Sequence, residues 1–533
     1  MNFTNKQDEF SISHRDVIAK INNYTDQKDV ELDITSHLIP NGPQRIRGIA
    51  GSGKTVKICQ MAATAHAKYP DWNIGVVFFT QSLYDYMNRM VDDYCSANGI
   101  EWDRKKLKIM HAWGNQKRDG LYRMLCSQYN FDFCTPDNLK VKNKKYSPTD
   151  LLAKASRQFL LKKEQFGAEE DPLFDILFID EGQDLLVDKP ELLYNYKQPV
   201  YWMAYEAIKP VSAETPHNHR FIWGYDEYQN MNSMKIPSIA EIFGNEDYFK
   251  GIQAGGQARS LIMRHCYRTP AKTIMAAHAI GMGLFYSEGM LTGPTQKKEW
   301  EALGYDVNGT FKAGNQVTLL RTSKTSPNPV SGMNLDDLMT FKVFSKKEDE
   351  YKDLALSIKH EINENNVFPG EIVVISLNKN KDNLKTLLDF LTKEGIPVYL
   401  SSTSGVGKCD MDVKANKYSE PGAVTLSRVI RAKGNEGYMV YITDLEETAK
   451  FEGNIHARNR LFVAMTRTRA WVRISGTGKY RLFEEFQKIL ETLKVENKLV
   501  FTYKRPSKWV IDAANEEDIA LSYQETLHLN EDQ

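Results

Sequence analysis

Near the start of the chain, Gly48-Ile49-Ala50-Gly51-Ser52-Gly53-Lys54-Thr55 fits the pattern GxxxxGK[ST]. Glycines at 48, 51 and 53 let backbone N–H groups, that of Ser52 included, close around phosphate oxygens. Lys54 is long enough to reach β- and γ-phosphates, and the Thr55 hydroxyl is suited to ligate Mg²⁺. Further on, the apolar run Ile176-Leu177-Phe178-Ile179 delivers two carboxylates, Asp180 and Glu181. Asp180 is placed to hold Mg²⁺, directly or through water, and Glu181 to orient and deprotonate an attacking water. A glycine-rich turn or an acidic strand end is unremarkable alone. Together they imply hydrolysis of ATP with Mg²⁺.

Such residues need a frame. Apolar strand-like runs recur at 74–79, 107–110, 176–179, 221–223, 371–375, 398–400, 424–426, 439–442 and 472–474, separated by helical patterns. This alternation predicts an α/β fold built on largely parallel sheets, with two groups of strands parting near residue 260. Between His111 and Leu173 the pattern is helical and polar, with lysines at 140, 142, 144 and 145, and reads as an insertion. Residues 288–337 are rich in Gly, Thr, Ser, Asn and Pro and read as a loop-rich insertion in the second group of strands. Beyond Lys479 a helical pattern runs through Phe486, Ile489 and Leu493 before an acidic tail.

The 69 Lys+Arg balance the 69 Asp+Glu, which excludes a wholly basic nucleic-acid binder but permits a local basic groove. The six cysteines form no CxxC pair, so neither a zinc ribbon nor a disulfide framework is expected. With no signal-like N-terminus and no apolar run of about 18 residues, the expectation is a cytoplasmic protein with no membrane partner. Two echoes are set aside. Gly405-Val406-Gly407-Lys408 lacks the earlier glycine and the following hydroxyl of a phosphate loop, and His217-Asn218-His219 lacks metal-spaced partners and reads as a polar turn.

Asp180-Glu181-Gly182-Gln183-Asp184 resembles the DExQD box of superfamily I helicases of the UvrD/Rep/PcrA type, and further motifs of that family follow in order. Phe79-Thr80-Gln81 looks like motif Ia, His111 like the histidine of motif Ib, and Asp226-Glu227-Tyr228-Gln229 like motif III. Cys266-Tyr267-Arg268-Thr269-Pro270 resembles motif IV, Ala432-Lys433-Gly434-Asn435-Glu436 motif V, and Val463-Ala464-Met465-Thr466-Arg467 motif VI. The series spans about 48–475.

The resemblance implies two RecA-like parallel-sheet domains with a helical insertion. Domain 1A takes residues 1–111 and 173–260, a 1B-like insertion 112–172, domain 2A 261–478, and a C-terminal extension 479–533. ATP is expected between the domains and single-stranded nucleic acid across them, DNA being favoured with movement 3′ to 5′. In this scheme Arg268 and Arg467 meet the γ-phosphate from the second domain, a charge that needs cationic donors. Gln229 senses the γ-phosphate or water, Tyr267 stacks on adenine, and Glu436 accepts from the ribose. Phe79 stacks on a base, while Thr80 and His111 donate to phosphates of the strand.

There are departures from the family. The tyrosine and tryptophan that follow the motif III glutamine are absent, Tyr225 replaces a glycine, and motif V carries Arg428, Ile430 and Asn435 where threonine, histidine and leucine are common. No Q motif is identified at Gln27 or Gln44, and no room is left for a 2B subdomain before the Val424 strand. These departures keep open a second class of function, an ATP-gated nucleic-acid sensor or assembly subunit working with a protein partner such as a nuclease. A P-loop ATPase acting on protein explains the phosphate site but leaves motifs Ia, Ib and V without a purpose.

Overall fold

The computed structural model describes residues 13–24, 39–115, 118–140, 146–167, 170–226, 239–244, 253–254, 257–378, 380–401 and 417–504. Two six-stranded sheets dominate it. The first is built from β1 (Gln44–Gly48), β2 (Ile74–Phe78), β3 (Leu107–His111), β4 (Ile176–Ile179), β5 (Phe221–Tyr225) and β6 (Ser260–Met263), in the order β3-β2-β4-β5-β1-β6. Every neighbouring pair is parallel. Parallel strands are covered on both faces, so they read as unbroken apolar runs, and all five residues of β2 are buried. β1 escapes this signal: Gln44-Arg45-Ile46-Arg47-Gly48 looks polar, yet four of its five residues are buried.

Helices α1 (Lys54–Lys68) and α2 (Tyr84–Ala97) contribute Ile58, Met61, Ala62, Met87 and Val91 to the core on one face of this sheet. The other face shares a core with the insertion, where Leu121, Leu152 and Phe159 pack with Val77, Met110 and Leu177. The insertion is therefore continuous with the first domain. Its main helix, α3 (Pro148–Phe166), has clear boundaries: Ser147 and Asp150 form a reciprocal capping box, Pro148 opens the first turn, and Gly167 closes it in the left-handed region at φ 55°.

After α4 (Ala271–Met282) come the short strands β7 (Asp306–Asn308) and β8 (Gln316–Leu320). The second large sheet is formed by β9 (Met339–Phe344), β10 (Ile372–Ser376), β11 (Val398–Leu400), β12 (Val424–Arg428), β13 (Gly437–Thr443) and β14 (Thr468–Thr477). Its order is β9-β14-β13-β10-β12-β11, again parallel throughout. Helices α5 (Lys347–Asn363), α6 (Lys381–Lys393), α7 (Ile455–Met465) and α8 (Arg481–Glu496) flank it. β15 (Leu499–Thr502) then pairs antiparallel with β8, which pairs with β7.

Two domain boundaries are corrected. The first domain does not end at 260, because Ser260–Met263 completes its sheet beside β1. Within the 288–337 insertion, β7 and β8 join the C-terminal extension through β15. Residues 1–111 are not all first-domain either. The helix at 14–24 lies on the second domain, where Val17, Ile18 and Ile21 enter the core that holds Ile372, Val374 and Trp471. There Arg15 forms a two-pronged pair with Glu371 at 2.7 and 2.9 Å, and His14 meets Glu361 at 2.8 Å. Apolar burial decides the placement; nearness in sequence to β1 does not.

Candidate active site

The P-loop leaves β1 and turns through Gly51 and Gly53 at φ 75° and 88°, left-handed values that glycine adopts without a Cβ penalty. Lys54 then opens α1. Its Nζ donates to the carbonyls of Gly48 and Ile49 at 2.7 and 3.0 Å and pairs with Asp226 Oδ2 at 3.1 Å. The Thr55 hydroxyl donates to Asp180 Oδ2 at 2.8 Å, so the two residues expected to hold a metal are already together. Ser52 is almost wholly buried within the loop. Beside it, a side chain on Gly48 would meet the Ser52 hydroxyl and the Met263 carbonyl.

β4 ends in Asp180, and Glu181 turns sharply, held in the left-handed region at φ 51°. A non-glycine residue there is uncommon and carries strain. Gly182 follows because a Cβ would fall 2.2 Å from the Tyr201 hydroxyl. The Gln183 carboxamide ties the turn together: Nε2 donates to Glu181, and Oε1 accepts from the Asp226 N–H at 3.1 Å. The two carboxylates are driven apart. Burial first, and the neighbouring Glu181 charge second, raise Asp180 to about 7. Burial also works against Glu181, but Lys433, Lys54, Arg467 and Arg268 outweigh it and hold its pKa below the ordinary value.

Those cations come largely from the far side of a cleft. Segment 264–270 leaves β6 and lies against the P-loop: the Gly51 carbonyl accepts from the Tyr267 and Arg268 N–H groups at 2.9 and 3.3 Å. Tyr267 is half-buried beside that loop, its ring 5.7 Å from His265. Arg268 Nε donates to Glu436 Oε2 at 2.5 Å. Arg467 is almost wholly buried at the end of α7, where Nε donates to the Val463 carbonyl at 2.9 Å. Burial, then repulsion from Arg268, lowers its pKa to about 10, and it faces Glu181 and Asp226.

Asp184, Lys433 and Asn328 belong to the site without having been given roles from sequence. Lys433 lies 3.5 Å from Glu181 and pairs with Asp184, an ion link from the second domain to the first. Both residues stand inside recognised motifs, which was the available signal. Buried Asn328 joins the segments of Arg268 and Arg467: its Nδ2 donates to the Arg268 and Arg469 carbonyls at 2.6 and 2.9 Å. It sits in the segment read as loops and gave no signal. Asn435 also explains itself, since its Nδ2 reaches Ser82 Oγ of the first domain at 3.1 Å, a bond that leucine cannot make.

Phe79, Thr80 and His111 sit where β2 and β3 end, at the same edge of the sheet as the P-loop and Glu181. Phe79 and Thr80 are half-buried, and Thr80 leads into the turn Gln81–Leu83. His111 spends both ring nitrogens on the protein: Nε2–H donates to the Phe79 carbonyl at 2.6 Å, and Nδ1 accepts from the Trp113 N–H at 3.1 Å. Its ring stacks on Phe79 at 5.5 Å, and burial lowers its pKa to about 4. His111 thus supports Phe79 and has no ring N–H left over for a strand phosphate, contrary to the role expected from sequence. Gln229 lies outside the described residues, as do the 405–408 echo and Lys142, Lys144 and Lys145.

Two RecA-like parallel sheets, one ending in a phosphate loop with a paired acidic turn and the other presenting cations to it, define a two-domain α/β architecture. Residues 423–475, which hold β12, β13, α7 and most of β14, match the family model of the UvrD-like helicase C-terminal domain. Among solved structures, the C-terminal domain of a possible DNA helicase from Lactobacillus plantarum is similar at 16% identity and a TM-score of 0.22, over 29% of this chain and 83% of that one. S. cerevisiae Dbp5 bound to RNA and ADP BeF3 is similar at 11% identity and a TM-score of 0.37, over 91% of this chain and 89% of that one. No curated protein matches the chain. Among the described residues, no helix is long and apolar enough to cross a membrane.

Proposed function

We propose that this protein is a superfamily I helicase or translocase that couples Mg-ATP hydrolysis to movement along single-stranded nucleic acid, DNA in preference to RNA and 3′ to 5′. The observation that carries this reading is the convergence on Glu181 of Lys54 from the P-loop and of Arg268, Lys433 and Arg467 from across the cleft. A hydrolytic carboxylate needs a cation cluster at that point, because charge builds on the transferred phosphoryl oxygens.

The donor set fits the expected group. Thr55 and Asp180 offer a hydroxyl and a carboxylate to Mg²⁺, which supplies charge neutralisation at the phosphates when bound. Gly51 and Gly53 offer backbone N–H groups, and Lys54, held here by the Gly48 and Ile49 carbonyls and Asp226, offers a cation. Glu181, held ionised, accepts the proton of an attacking water, and Gln183 fixes its direction. Arg268 and Arg467 stabilise the developing charge. Their supply from the second domain ties hydrolysis to the relative position of the two sheets.

A tailed-duplex unwinding assay tests this reading. ATP-dependent separation of a duplex with a 3′ single-stranded DNA tail is expected. Failure on DNA and RNA duplexes of both polarities removes the helicase reading. Strand-dependent ATP turnover without unwinding, together with a stable protein partner, supports the ATP-gated sensor instead, which the missing motif III aromatics favour.

A further inference from the structure

Glu436 is held by two guanidinium groups. Its Oε2 accepts from Arg268 Nε at 2.5 Å, its Oε1 from Arg469 Nε at 2.6 Å, and a second Arg469 nitrogen also pairs with it. Burial opposes its ionisation, yet Arg469, then Arg268, hold its carboxyl down at about 2. The two arginines have different duties. Arg268 sits against the P-loop at Gly51 and, in the proposed function, serves the γ-phosphate. Arg469 faces away from that errand: its Nη1 donates to the Tyr438 hydroxyl at 3.3 Å, and its guanidinium lies 5.5 Å from the centroid of the Tyr438 ring. Tyr438 in turn donates to Asn22 of the N-terminal helix, and Asn328 grips the Arg469 carbonyl. Asn22, Tyr438, Arg469 and Glu436 thus form one polar chain on the second domain.

We propose that Arg469 is a positioning residue that keeps the Glu436 carboxylate aimed at the ribose hydroxyls of the nucleotide while Arg268 serves the phosphates, with Tyr438 and Asn22 as its support. The proposal rests on the reading of this cleft as an ATP site and deepens it, by naming what sets selectivity for a ribonucleotide. The physical basis is general. A carboxylate with one fixed guanidinium retains a direction and a free acceptor edge, whereas one deserted by both would rotate or draw in another cation.

The test compares steady-state hydrolysis of ATP, 2′-deoxyATP and 3′-deoxyATP by the full chain and by Arg469→Gln, Arg469→Lys and Tyr438→Phe, each checked for folding by thermal melting. Wild type is expected to prefer ATP over at least one deoxy analogue by about tenfold in kcat/KM, since a site built around a hydroxyl rejects the analogue lacking it. In Arg469→Gln that preference falls to about twofold or less, with KM for ATP rising more than kcat falls. Arg469→Lys restores part of it, and Tyr438→Phe removes part. A folded Arg469→Gln that discriminates like wild type overturns the proposal. Should that variant not fold, wild-type discrimination by both Arg469→Lys and Tyr438→Phe overturns it equally. Wild type that hydrolyses all three alike overturns it while leaving the ATPase reading intact, and wild type that hydrolyses none overturns both.

Discussion

At the scale of single residues, the site separates two neighbouring carboxylates by environment. Asp180 is buried next to a like charge and a hydroxyl, whereas Glu181 is surrounded by cations. The proposed function gives the metal to the first and the water to the second. Lys54→Ala and Glu181→Gln are each expected to lower ATP turnover by at least about a hundredfold, the scale of a lost general base or phosphate cation, with Glu181→Gln still binding ATP in a filter or fluorescence assay. Near-normal turnover by Glu181→Gln would take the general-base role from it. His111 makes a separate prediction. Its pKa is lowered from 6.5 to about 4, so the unfolded chain binds more protons between these values and stability rises with pH through that window. The contribution is complete above 6.5 and is lost as pH falls towards 4. For a half-buried ring the slope should amount to about 1–2 kcal/mol, and His111→Gln should remove it in urea titrations at pH 5 and 7. That Lys54, Thr55, Asp180 and Glu181 gather at one place was legible in sequence, because phosphate and metal chemistry demands particular residue types at fixed spacing. The use of His111 was not legible, since a histidine that donates to the strand and one that props a neighbour are spelled alike.

At the scale of elements, the segment 431–436 is the main bridge between the two sheets. Lys433 reaches the acidic turn after β4, and Asn435 reaches the turn after β2, so two turns of the first domain are gripped by one segment of the second. A double-mutant cycle of Ser82→Ala and Asn435→Leu should show a coupling of about 1 kcal/mol in unfolding free energy, the net worth of one buried hydrogen bond; strict additivity would mean that the bond carries no weight. The elements were unevenly readable. β2, β4, β10 and β13 are largely apolar and announce themselves. β1 carries polar residues buried beside neighbouring strands, β6 is a four-residue edge strand, and β7 and β8 are too short to stand out in a Gly- and Asn-rich stretch. What fixes such strands is long-range pairing, which no local window contains.

At the scale of the whole molecule, the first described helix lies on one domain and the strands that follow it build the other. The helix at 14–24 packs on the second sheet before the backbone enters the first at β1. Local pattern could not foretell this, because an amphipathic helix records that one face is apolar but not which core receives it. Ile18→Ala should destabilise the protein by about 2–4 kcal/mol, the usual scale for a fully buried isoleucine, as read by chemical denaturation. A change below about 0.5 kcal/mol would mean that the helix is not part of that core.

The two-sheet arrangement makes one claim above all: cations from the second domain act on a phosphate held by the first, and a bound strand governs their approach. Steady-state ATP hydrolysis with and without single-stranded DNA or RNA, with Lys54→Ala as the blank, tests that claim most directly. Stimulation of about tenfold or more by single-stranded DNA, weaker with RNA and absent in Lys54→Ala, is the predicted result. Turnover that is the same with and without either polymer, or that survives in Lys54→Ala, would contradict it.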